Sequence, residues 1–167
     1  MKRSTIQILP ALIGGLISLM GCTPRKVMPE AELVSVELTR SGTMAGYQYK
    51  GHAEADSTGG FVLQAMKEYY GPLYEKRIGK EEMAKFRQII MEEKMYKYKD
   101  SYTPMMRVLD GRSWHFEANF ADGTRIYSHG ENASPRGEGL ERIQNLMDDL
   151  IKDGILLESP DSAALEL

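Results

Sequence analysis

The sequence predicts an α+β fold, an antiparallel sheet of about five to six strands with two helices packed on one face. Three patterns predict it. Trp114, Phe116, Ala118 and Phe120 alternate with His115, Glu117 and Asn119, the period of a half-buried strand. Residues 80–94 and 138–152 carry apolar side chains at helical spacing. Short runs of strand composition, set apart by turn residues, fill 33–78.

The chain opens on Met1-Lys2-Arg3 and has no charged residue from Ile6 to Met20. A positive start before an apolar run is the layout of a secretory signal, here 1–21. The run has about 15 residues, broken by Pro10 and Gly14-Gly15, whereas a membrane-spanning helix needs roughly 20. It ends in Leu19-Met20-Gly21-Cys22. This tetrapeptide resembles the bacterial lipobox. Leu19, Gly21 and Cys22 match it, and Met20 departs from the small or aliphatic residue commoner there. The resemblance implies cleavage before Cys22, a thioether lipid on Cys22 and acylation of the new N-terminus, so that the membrane is a partner through that lipid. Thr23, not Asp, follows. By the sorting rule of enterobacterial lipoproteins this implies the outer membrane, facing the periplasm. Cys22 is also the only cysteine. An unpaired cysteine in a secreted protein needs a reason, and lipidation supplies one.

Without 1–21 the chain keeps about 146 of its 167 residues, enough for one domain with a core. Losing Lys2 and Arg3 takes the net charge from −3 to about −5. No basic stripe is present for phosphate backbones, so no nucleic-acid partner is expected. Residues 22–32, with two prolines and mixed charges, read as a lipidated tether. Residues 33–153 read as the domain and 154–167 as a loose tail.

Within the domain, 33–38 has strand composition and Ser41-Gly42 can turn it. Residues 47–55 alternate weakly, and Asp56-Ser-Thr-Gly-Gly60 is a turn cluster. Residues 61–68 admit two readings. As a strand they put Phe61, Leu63 and Ala65 on one face; as a helix they put Phe61, Val62, Ala65, Met66 and Tyr69 in a stripe. The strand is adopted, paired back by 73–78. In the first helix Met83, Phe86 and Ile90 line one face. In the last, Leu140, Ile143, Met147 and Leu150 do so, with Ile151 at the edge and Gly154 as the stop. Between them lies a hairpin. A three-residue loop at Ala121-Asp122-Gly123 sets Ile126 opposite Ala118, whereas a two-residue loop would set it opposite polar Asn119. The apolar pattern favours the three-residue loop.

The segment from Asp110 to Leu150 carries Asp110-Gly111 with Trp114, then Asp122-Gly123, then Gly130-Glu-Asn132-Ala-Ser-Pro135. It resembles small proteins and lipoproteins of gut bacteria that share these motifs. The resemblance bears on fold and implies no activity.

The three-residue loop also places His115 opposite His129 on the outer face, with Glu117 two residues along. Opposed residues have Cβ atoms about 5 Å apart, close enough to share a divalent ion, and imidazole with carboxylate suits zinc. His52-Ala-Glu54 repeats the spacing. Tyr96, Tyr98 and Tyr102 form a strip able to bind a sugar or peptide if exposed. No phosphate-loop lysine and no Gly-x-Ser-x-Gly elbow is present, and no cofactor is expected. Two function classes follow. One is a non-catalytic envelope module for a protein, peptide or glycan. The alternative is a small metal-dependent hydrolase on the His115, His129 and Glu117 face.

Overall fold

The computed structural model describes residues 26–42, 48–68, 71–105 and 111–158. The signal segment, its cleavage site and Cys22 lie outside them. Eight strands run β1 Leu33–Ser41, β2 Gln48–Ala55, β3 Phe61–Met66, β4 Leu73–Ile78, β5 Ser101–Tyr102, β6 Ser113–Phe120, β7 Arg125–Glu131 and β8 Ile155–Glu158. Helix α1, Lys80–Glu92, follows β4; helix α2, Gly139–Leu150, follows β7. The strands form one sheet in the order β5-β7-β6-β1-β2-β3-β4-β8. All neighbours pair antiparallel except β5 with β7.

Alternation decides which face is covered. Val36 and Leu38, Ala53, Leu63 and Ala65, then Phe116 and Ala118, are all fully buried. Met83, Phe86 and Ile90 of α1 join the same cluster, as do Leu140, Ile143 and Met147 of α2. The two helical stripes therefore cover that one face of the sheet. Helix α1 begins where the Glu82 carboxylate accepts the Gly79 N–H at 2.9 Å. It stops at Lys94, whose φ of 53° leaves helical space. Arg142 forks onto Glu92 and Glu93, each at 2.7 Å, and so fastens the start of α2 to the end of α1. Among the described residues no helix is long and apolar enough to cross a membrane.

The β6–β7 hairpin has the register its apolar pattern requires, Ala118 opposite Ile126. Gly123 sits at φ +82° and closes the three-residue loop, a left-handed position that glycine fills without strain. Residues 61–66 are a strand, paired with both neighbours.

Three expectations are corrected. The sheet has eight strands, not five or six, because β5 and β8 add short edges. Residues 26–32, read as tether, pack on the domain. Pro29 is buried, its carbonyl accepts from Arg87 at 2.9 Å, and Lys26 donates to the Tyr98 carbonyl at 2.8 Å. The start of the tail is β8, bonded to β4 although Ile155, Leu156 and Leu157 stay exposed.

The β2–β3 turn carries a pH-dependent contact. Asp56 Oδ1 accepts from the Thr58 N–H and hydroxyl at 2.8 Å and from the Gly60 N–H at 3.0 Å. Its Oδ2 pairs with Arg77 on β4. The Arg77 hydrogen bond, then those of Thr58, hold the Asp56 carboxyl far below the usual carboxylate range. A carboxyl depressed by folding stabilises above its unfolded pKa of about 3.9 and loses that contribution as pH falls through the folded value. Asp56→Asn should therefore lower the melting temperature at neutral pH, and the gap from the parent should close in melting curves taken below about pH 4. A gap of the same size at both pH values would show that the charge contributes nothing.

Candidate functional site

The face opposite the helices is open, and its registers assemble a polar row that crosses six strands. Tyr127 faces Glu117, Glu117 faces Glu37, Glu37 faces His52, His52 faces Gln64, and Gln64 faces Glu75. Neighbouring strands lie about 4.8 Å apart, which sets these side chains side by side across the sheet. His52 Nδ1 lies 3.6 Å from Glu37 and its Nε2 3.2 Å from Glu54. Gln64 donates to Glu75 at 2.8 Å.

The hairpin brings His115 and His129 directly opposite each other, as the loop length requires. Glu117 lies 3.7 Å from His115. The carboxylate is already engaged, however. Arg125 donates to its Oε2 at 2.5 Å and Asn119 to its Oε1 at 3.0 Å. Burial alone would raise the Glu117 pKa; the hydrogen bonds from Arg125 and Asn119 outweigh it and hold the group low. The Tyr127 ring touches both imidazoles, with centroids 5.1 Å from His115 and 5.5 Å from His129. Among the described residues no three His, Cys, Asp or Glu side chains gather as a metal-binding group. The register thus delivers the histidine pair, but the third ligand expected beside it is held by an arginine.

The tyrosine strip divides. Tyr98 is 7% exposed and belongs to the core. Burial, with the charge of Glu93 and the neighbouring Tyr102, pushes its phenol up to about 12. Tyr102 packs on Trp114 with centroids 5.7 Å apart, and its hydroxyl accepts from the Lys99 N–H. Tyr96 is half-buried, with the Lys97 ammonium 5.6 Å from its ring centroid. Tyr96 and Tyr98 line an open cleft of about 480 Å³ between residues 26–29 and β7, which Arg125 and Tyr127 close on the sheet side. β5 pairs with β7 only at His129 and Gly130, so on the edge away from β6 the stretch 125–127 borders this cleft. A second depression, of about 240 Å³, lies on the open face over Lys50, His52, Gln64 and Leu73.

Sequence reasoning missed Glu37 and the use of His52. Both enter the row because β1 lies between β6 and β2, and strand order across a sheet leaves no trace in local periodicity. The Arg125 contact was closer to hand, since Arg125 stands two residues before Tyr127 on the same face of the hairpin. No protein-family model matches this chain, and no curated protein is significantly similar to it.

Proposed function

We propose that this chain is a lipid-anchored protein of the bacterial envelope, held through Cys22, whose domain is a non-catalytic binding module using the open face of its sheet. The observation that carries the binding reading is that face itself. Its eight strands, about 4.8 Å apart, make it roughly 34 Å wide. With strands of this length its area is of the order of the 800 Å² that one partner contributes to a standard protein–protein interface. The side chains on it are mostly charged, hydroxyl, amide, imidazole and phenol groups, with Val62, Met66 and Leu73 among them, and they stand in register. Such a composition suits a partner that comes and goes, since non-obligate interfaces are about as polar as the rest of a protein surface. Neither depression beside the face includes His115 or His129. A hydrolytic metal would need Glu117 released from Arg125.

Two measurements test the two halves. Mass spectrometry of the protein from its own membrane should show lipid on Cys22, and Cys22→Ser should abolish labelling by fatty acid and leave the signal segment uncut. An N-terminus other than residue 22 would end the anchoring half. Cross-linking in the intact envelope should capture a partner that is lost in a Glu37→Lys, His52→Glu double variant and kept in Glu81→Lys on the wet side of α1. Capture unchanged by the sheet variant would remove the open face as the site.

A further inference from the structure

The docked arm restricts how an anchored domain can stand. Lys26 donates to the Tyr98 carbonyl at 2.8 Å and to Asp100 at 2.6 Å. Only Thr23, Pro24 and Arg25 separate it from Cys22. At no more than about 3.6 Å per residue, the lipid-bearing cysteine lies within roughly 14 Å of Lys26. The surface around Lys26 is therefore held beside the bilayer, while the far edge of the sheet is not.

That surface has the chemistry of a headgroup contact. Lys94, Lys97 and Lys99 are exposed along the turn that holds Lys26. The neighbouring carboxylates are occupied: Glu92 and Glu93 by Arg142, and Asp100 by Lys26 itself. Arg142 offsets only one of its two carboxylates, so with Lys94, Lys97 and Lys99 this surface keeps an excess of two positive charges. Tyr96 lies among them half-buried, and Val27 on the arm is 68% exposed, an isolated apolar group beside the anchor. Aromatic rings favour the level of lipid headgroups. Lysines within a Debye length of an anionic surface, roughly 10 Å, each strengthen binding about five-fold.

We propose that the surface formed by Lys94, Lys97, Lys99, Tyr96 and Val27 seats on anionic lipid headgroups and fixes the orientation of the anchored domain. The proposal rests on the lipid anchor at Cys22, and its test separates the two. The mass of the native protein first shows whether Cys22 carries lipid. Lipidated protein, bearing a fluorophore at Thr124→Cys or at Glu75→Cys, is then reconstituted in vesicles carrying a headgroup quencher. The vesicles are phosphatidylcholine alone or phosphatidylcholine with phosphatidylglycerol.

Position 124 lines the cleft beside Lys26; position 75 is near the opposite edge of the sheet. With phosphatidylglycerol, strong quenching is expected at 124 and little at 75. The contrast should vanish in the Lys97→Gln, Lys99→Gln double variant and in about 0.5 M salt. Equal quenching at both positions in both lipids overturns the proposal and leaves the anchor intact. If the mass shows no lipid, the anchoring reading fails, and the chain is mixed with the same vesicles. The surface then still requires a preference for phosphatidylglycerol that falls about 25-fold in the double variant. Absence of that preference overturns it.

Discussion

Phe116→Ala should lower the stability of the domain by about 3–5 kcal/mol. Phe116 is fully buried in β6, and the residues paired with it, Leu38 on β1 and Ser128 on β7, are fully buried as well. The strands on both sides are fixed by continuous ladders, so the backbone cannot collapse into the vacated volume. The cost is then the lost transfer energy of the ring together with the cavity it leaves. His115→Ala, one residue away on the open face, removes a side chain that faces solvent and should stay within about 0.5 kcal/mol of the parent. Urea denaturation at neutral pH measures both. A loss below about 1 kcal/mol for Phe116→Ala would mean that the face assignment of β6 does not describe the packed core.

That assignment could be read from sequence because β6 and β7 alternate over many residues and their loop admits only one register that buries Ile126. The helical stripes were readable for the same reason: Met83, Phe86 and Ile90, like Leu140, Ile143 and Met147, repeat often enough to define a face. Two residues of β5 and four of β8 carry no period. Ile155, Leu156 and Leu157 of β8 are all exposed, so hydrophobicity there does not report burial. The arm at 26–32 was equally hidden. It is held by Arg87 and by the Tyr98 carbonyl, groups roughly sixty to seventy positions away, and its one proline, Pro29, looks the same in a tether as in a packed segment. The site followed the same division. The hairpin alone places His115 opposite His129, whereas joining Glu117 to Glu37 and His52 needs the sheet order.

Two of the sequence motifs, Gly111 with Trp114 and the run from Gly130 to Pro135, meet at one corner. The Arg112 N–H donates to Asn132 Oδ1 at 2.8 Å, and the Asn132 N–H donates to the Arg112 carbonyl at 2.7 Å. The Trp114 indole N–H donates to the Ala133 carbonyl at 2.7 Å. Asn132 sits at φ 52°, where asparagine is better tolerated than most residues. The start of β6 and the end of β7 are thus tied by side chains as well as by their ladder, while Asp122-Gly123 closes the opposite end of the hairpin.

Gly130→Ala should break that corner. Gly130 lies directly opposite Trp114. A Cβ on it would stand 2.5 Å from the Ala133 carbonyl oxygen, 2.6 Å from the indole Nε1 and 2.8 Å from Cε2. None of these atoms ends a flexible side chain, so the indole and the 130–133 turn must move apart. The expected loss is roughly 2–5 kcal/mol, from overpacking together with a buried N–H and carbonyl left without each other. Trp114→Phe distinguishes this cause from a general intolerance of side chains in β7. It removes the ring edge that Cβ would meet, so Gly130→Ala should cost less in that background, by about 1 kcal/mol or more. Urea denaturation of the two single variants and the double variant closes the cycle. Strictly additive losses would show that the indole is not what excludes a side chain at position 130.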